Sequence, residues 1–459
     1  MNKFLYILPF CLGLSACMAT APTDQPTRAS TEPVQMLPPM KTFSASRATA
    51  PQVSNSDLAR DILDLAFKLE SGRALPSFTR FEGPITLRLT GQAPISLSLE
   101  LDTLVNRLRS EAGINIRRVQ SGTASITIEA VSHASIRRYL PSAACFVVPN
   151  VSSLSEYGKA RRDPRTDWTR LQNRERLAIF VPSDAPPQEM RDCLHEELAQ
   201  ALGPLNDLYR LSDSVFNDDN VHTVLTGYDM LVLRAFYAPE LQTGMSRDQV
   251  ARRLPGILAR LNPAGQNRSP LYLRETPRSW IEAIQTALGP GASAAGRRSA
   301  AQKAVNIARA QGWQDHRRAF SHYALGRLTQ GHDADIALSH FLAAQRYYSQ
   351  LPGTRLHAAQ VAQPLAAYAI SEGNGQAALD ILDPYLGVAA KHENAALLST
   401  LMLLRAEALD LLGRSTEARL VRLDSLGWAR YGFGADWAVR AKLQEISALS
   451  PLKRGNGRT

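Results

Sequence analysis

The stretch DCLHEELAQALGPLND, residues 192–207, is read as the central helix of a front domain. Pro186 and Pro187 follow the strand-like run LAIFVPSD, and Gly203 with Pro204 stands at the far end, so proline opens the helix and glycine closes it. At about 100° per residue, Met190, Leu194, Leu198, Ala201 and Leu202 share an apolar face, with Glu197 at its edge. Glu196 and Gln200 lie one turn apart beside that face, while His195 and Ala199 are expected to point away. Two carboxylates and an amide are thereby turned toward a partly buried region.

Working outward toward the amino end, helical and strand-like runs alternate. Helices are expected over 57–69 and 101–112 and a short one over 133–140; strands are expected over 83–89, 114–119, ASITIEAV, AACFVV and LAIFV. Helices interleaved with short β-branched runs predict an α/β (α+β) domain with a mixed sheet over residues 56–265. The polar, arginine-rich segment 151–176 is expected to be a solvated loop or an edge crossing the mouth of a cleft.

The spelling of the central helix invites comparison with HExxH zinc hydrolases, where two histidines at i and i+4 bind zinc and the glutamate activates water. His195 cannot be the first ligand, because Ala199 stands where the second is needed. In the longer HExxHxLGxxH register, EELAQALGPLN fills every slot, with Glu196, Gln200 and Asn206 at the histidine positions and Glu197 at the base position. Ser214, Val215 and Phe216 stand where a methionine turn would floor such a site, and LTGYDMLVLRAFY is similar to the closing helix of matrixin-like metalloproteases. The front domain thus resembles a metzincin-like fold. More closely, FTRFEGPI, AACFVV, CLHEELAQALG, SVFND and YDMLVLRAFY together resemble a bacterial family known as domain of unknown function 2927, which implies no activity. Amides are weak zinc ligands, so Glu196, Gln200 and Asn206 predict no catalytic zinc and no other cofactor. A buried unpaired charge is costly, so Glu197 is expected to be satisfied by backbone or arginine.

The first residues, MNKFLYILPFCLGLSAC, combine a lysine, a short apolar run and small residues before a cysteine. They read as a signal peptide over 1–16. LSAC looks like a bacterial lipobox, which implies cleavage before Cys17 and its acylation; the alternative is a plain signal peptide with an incidental cysteine. Met18 after that cysteine favours the outer membrane, facing the periplasm. Residues 17–55 are rich in Pro, Ser, Thr and Ala and read as a disordered tether. Cys11 lies in the removed peptide, leaving Cys145 and Cys193, which in an oxidising compartment pair more often than they stay free. Two buried thiols are the alternative.

From Pro277 to Leu449 the pattern is helical throughout and repeats. Ala301, Ala337, Ala378 and Ala418 recur at intervals of 36, 41 and 40 residues, each a few residues after a glycine at 296, 331, 373 or 413. That period predicts a solenoid of helix pairs, and the segment looks like tetratricopeptide repeats, although its spacing is longer and its aromatic signature patchy. ADWAVRAKLQEISAL is expected to cap the stack, and 450–459 to be a disordered tail. Arg346, Tyr347, Tyr348, Arg405 and Arg419 are expected to remain available for a partner.

A formal charge of +10 over 459 residues is dispersed among many arginines, and no groove-reading or base-stacking motif occurs, so nucleic acid is not an expected partner. The nine histidines are not expected to cluster: His222 follows the central helix, and His316, His322, His332, His340, His357 and His392 are spread along the repeats. No GxSxG, phosphate loop, dinucleotide fingerprint or paired CxxC is present. The expectation is a lipid-anchored envelope protein whose repeats make it a scaffold or adaptor for envelope proteins. The alternative is a peptidase-like hydrolase using Glu197 as general base.

Overall fold

The computed structural model describes residues 36–44 and 48–454. The expected signal peptide, Cys17 and residues 455–459 lie outside the described residues. The front domain starts with α1 (Asn55–Phe67), whose Ser54 side chain accepts from the Asp57 backbone as a cap. It is followed by β1 (Ile85–Gly91), α2 (Ile95–Glu111), β2 (Ile116–Arg118) and β3 (Ile126–Val131). Then come α3 (His133–Arg137), β4 (Phe146–Pro149), α4 (Leu154–Ala160), β5 (Leu177–Pro182), α5 (Pro187–Leu202), α6 (Gly227–Phe236) and α7 (Arg247–Leu261).

The strands form one mixed sheet in the order β2-β1-β3-β5-β4, with β4 antiparallel to β5 and the other pairs parallel. Alternation along β5 serves two cores. Ile179 and Val181 face the large core shared with α1, α2, α5, α6 and α7, while Ala178 and Phe180 face a smaller one under α3 and α4. Segment 151–176 is not a bare loop: Val151, Leu154 and Ala160 are buried in that smaller core, where they cover the sheet face opposite α5.

The remaining chain is helical: α8 (Arg278–Leu288), α9 (Ala294–Ala310), α10 (His316–Thr329), α11 (Ala334–Ser349), α12 (Arg355–Ser371), α13 (Gly375–Lys391), α14 (Ala395–Leu411), α15 (Ser415–Phe433), α16 (Asp436–Ser447) and α17 (Pro451–Arg454). Ala301, Ala337, Ala378 and Ala418 are all fully buried, which lets neighbouring helices approach closely. Gly373 and Gly413 turn the chain between helices at φ 75° and 73°, a left-handed conformation that glycine adopts without strain. Gly296 differs from expectation, since it sits inside the first turns of α9. The expected tail is helical at α17, where Lys453 pairs with the buried Glu407 at 2.6 Å. No helix among the described residues is long and apolar enough to cross a membrane.

The described residues from Pro38 onward form one compact unit, and the sheet domain and the helices share cores within it. Tyr209 packs among Trp280, Trp313 and Phe320, and Val221 joins the cluster of α12, α13 and α14. Gln188 joins the N-terminus of α14 through both ends of its amide, donating to Asn394 Oδ1 at 3.1 Å and accepting from the Ala396 N–H at 2.9 Å. The expected tether is also docked in part. The Lys41 N–H donates to the Gly427 carbonyl, and Phe43 stacks on Trp428 at 4.5 Å, so this stretch is strapped along α15.

Cys145, just before β4, and Cys193, in α5, form a disulfide. It spans 48 residues of sequence, so opening it restores considerable freedom to the unfolded chain. Reduction, or paired Cys145→Ser and Cys193→Ser substitution, is expected to lower the urea-unfolding free energy by about 2–4 kcal/mol. Unchanged stability, together with two reactive thiols in the unreduced denatured protein, contradicts the bond.

Candidate functional site

Helix α5 is buried on nearly every side. Its carbonyl end is held by Arg174, whose guanidinium donates to the backbone oxygens of Gln200 and Ala201 at 2.8 Å and of Gly203 at 2.7 Å. The same Arg174 donates to Thr79 Oγ1, while Arg80 donates to the Phe236 and Ala238 carbonyls at the end of α6. The FTRFEGPI motif therefore ties two helix ends to the sheet domain. At its other end α5 meets the repeats, where the buried Arg191 donates to the Glu393 carbonyl at 2.7 Å and lies over the Tyr431 ring at 5.3 Å.

His195 does not point into solvent. It is 3% exposed, and its Nδ1 accepts from the Leu225 N–H at 3.1 Å. The loop over α5 places Ser214 against Asp229, which also caps α6 through Thr226. Burial raises the Asp229 carboxyl to about 6, against the pull of its donors. The turn at Ser214, Val215 and Phe216 is thus pinned to the closing helix, and its role is structural.

The positions in the zinc register do not converge as ligands. Asn206 donates its amide to the Asp64 carbonyl at 3.0 Å, Gln200 is neutral, and no group of three or more His, Cys, Asp or Glu among the described residues has metal-holding geometry. Glu196, Gln200 and Asn206 therefore do not fit a zinc ion.

What these elements do bring together is carboxyl groups. Glu197 is 6% exposed and its Oε2 has no hydrogen-bond partner, so the expected backbone or arginine partner for this oxygen is missing. Burial and then Glu196 and Glu70 drive its pKa well above the usual carboxylate range. Burial, then Asp218, Glu70 and Asp192, pushes Glu196 up to about 8. Asp207 is likewise raised, by burial and by Glu70, and its Oδ1 is also unpartnered. Arg210, which follows Asp207 by three residues, is committed to Asp61 at 2.6 Å and Asp64 at 2.8 Å. A raised pKa favours the protonated form, in which a carboxyl donates a hydrogen bond through its O–H.

This arrangement adjoins a cleft of about 320 Å³ lined by Glu70, Asp207, Leu208, Tyr209, Arg278 and Ile281, among others. Tyr209 donates its hydroxyl to Asp218 at 2.6 Å on the same side.

Residues 55–256 match the family model described as "Protein of unknown function (DUF2927)". The matched segment runs from α1 into α7 and carries α5 with its acidic edge. No curated protein and no solved structure matches the chain.

The histidines do cluster, against expectation. Ring centroids of His222 and His392 are 5.3 Å apart, those of His222 and His357 5.8 Å, and those of His316 and His357 6.2 Å. His357 Nε2 donates to Asp219 Oδ2 at 2.8 Å, and His316 Nε2 to the Tyr209 carbonyl at 2.7 Å. Burial is the first cause that lowers His222 to about 3 and His316 and His392 to about 4, so these three are neutral parts of the seam. The partners are far apart in sequence, and no local pattern announces them.

The carboxyls make stability pH-dependent. A carboxyl whose folded pKa lies above its unfolded one contributes stability that is present below the unfolded pKa and lost as pH rises through the folded value. Wild-type stability is therefore expected to fall from near pH 4.5 to about 8 because of this group. Glu196→Gln and Glu197→Gln mimic the neutral form and are expected to gain on the order of 1–2 kcal/mol over wild type at pH 8 and little at pH 5. Urea unfolding at the two pH values checks this, and variants no more stable than wild type at pH 8 contradict it.

Proposed function

We propose that this protein is a lipid-anchored envelope protein whose tetratricopeptide-like helices dock partner proteins, beside a metzincin-like front domain that no longer holds zinc. Exposed apolar side chains along the repeats carry the docking part of this reading. Ile336, Leu342, Leu420, Leu423 and Trp437 are each at least half exposed, and Leu420 and Leu423 lie together on the wall of one groove on α15, where apolar surface favours association. The contact residues differ from those expected. Tyr347 and Tyr348 are 8% and 3% exposed, within the core of α11 and α12, and Arg405 is held by Asp383 at 2.8 Å. Arg346 and Arg419 remain exposed and suit the polar rim of an interface.

The metzincin-like reading is supported by the helix that follows directly on β5, with Glu197 in the base position. Anchoring is supported by the LSAC motif after an apolar run. Mass spectrometry of the mature protein is expected to find an acylated Cys17 at the amino terminus; an unacylated terminus or one further downstream contradicts the anchor.

A photo-crosslinking residue placed at Leu423 or Trp437 is expected to yield a discrete adduct in the native envelope. The same residue at Ser121, exposed on the sheet domain, is expected to yield none. No adduct at the repeat positions, or an equal one at Ser121, contradicts docking through the repeats.

A further inference from the structure

Residues 38–43 lie across α15 as a strap without helix or strand, and the contacts of this strap have the form of a bound peptide. Pro38 and Pro39 restrict its backbone to extended conformations, so little freedom is lost when it settles on a helix. The Lys41 N–H donates to the Gly427 carbonyl at 3.0 Å, and Arg430 donates to the Pro38 carbonyl at 3.0 Å. The Lys41 ammonium pairs with Asp424 and stands 5.4 Å from the centre of the Trp428 ring. Phe43 stacks on Trp428, meets Tyr431 edge-on at 6.3 Å and lies 5.9 Å from the Arg191 guanidinium. Gly427 stands where the strap passes: a methyl group there would approach Lys41 Cγ to 2.9 Å and the Pro39 carbonyl oxygen to 3.1 Å.

The strap uses only part of what α15 offers. Leu420 and Leu423 remain 64% and 56% exposed, and with Pro38, Pro39 and Met40 they line an open groove of about 430 Å³. The ion pair of Lys41 with Asp424 is itself open to water, where such a pair adds little. A segment held by one ring, one exposed ion pair and a few hydrogen bonds is exchangeable for a competitor that makes more contacts. The uncovered leucines supply those contacts.

We propose that α15 carries a recognition site for an extended segment of a partner protein, and that residues 38–43 are its inhibitory occupant. The strap defines the chemistry of that segment: an aromatic ring for Trp428 and Tyr431, a basic side chain two residues earlier for Asp424, and a backbone that crosses Gly427 closely. The partner adds apolar side chains that fill the groove at Leu420 and Leu423. The strap of a second copy offers no more than the resident one, which is tethered and therefore present at an effective concentration on the order of millimolar. A second copy thus does not displace it, whereas a partner with the added apolar contacts does. The identity of the ligand as the docked partner rests on docking through the repeats; the site itself does not.

The experiment is fluorescence anisotropy of a labelled synthetic peptide, PPMKTFS, with the full-length protein and with a full-length Lys41→Gly, Phe43→Gly variant whose strap is released. The released variant is expected to bind the peptide saturably, and wild type at least tenfold more weakly because its own strap holds the site. Adding Gly427→Val to the released variant, with its circular dichroism unchanged, is expected to cost at least tenfold in affinity. In the native envelope, release of the strap is expected to raise the yield of the photo-crosslinked adduct at Leu423. No peptide binding by the released variant, equal binding by wild type, or indifference to Gly427→Val overturns the site. An adduct whose yield stays the same or falls on release overturns the inhibitory role. Peptide binding with no adduct in either form supports the site and contradicts docking through the repeats instead.

Discussion

Helix α5 is fastened from three directions, and the rest of the molecule depends on that restraint. The disulfide at Cys193 ties it to the sheet edge, Arg174 neutralises its carbonyl end, and Gln188 and Arg191 join its first turns to the repeats. Each bond is made by a group almost fully removed from water, where an unsatisfied donor costs about 1–3 kcal/mol. The helix thus belongs to two halves of the molecule at once, and they share cores through Tyr209 and Val221. A front domain separated from the repeats exposes these residues and leaves Arg191 without its Glu393 and Tyr431 partners.

That restraint accounts for the acidic edge. A free surface helix would turn Glu196 and Glu197 to water, but α5 cannot rotate without breaking its fastenings. The carboxyls are held near Glu70, Asp207 and Asp218, and the available cations are held by other acids. The energy of this arrangement falls when a proton arrives, which is why burial raises these carboxyls. A general base needs an ionised carboxylate, and the raised pKa of Glu197 disfavours that form.

Much of the fold was legible in the sequence. Proline before residue 187 and glycine at 203 bracket α5, and each expected strand of the front domain is present with shifted ends. The four repeat alanines are all buried, because close helix packing leaves room only for a methyl group there. What failed was long-range. His222 meets His357 and His392 across more than a hundred residues, and Tyr347 and Tyr348 are buried by α12, a neighbour their own helix does not reveal. Helical periodicity turns His195 outward because it describes one helix against one core, whereas α5 has neighbours on every side. Glu197 Oε2 lacks a partner for a related reason: the groups that act on it include Glu70, far away in the sequence and itself an acid.

The central claim is that the acidic edge of α5 carries protons instead of counter-cations at neutral pH. Difference infrared spectroscopy of the carbonyl stretch of protonated carboxyl groups tests it most directly. The account predicts a protonated-carboxyl band at pH 7 that weakens as pH rises past 8 and is reduced in Glu196→Gln and Glu197→Gln. A spectrum with no such band at pH 7, or a band left unchanged by both substitutions, contradicts it.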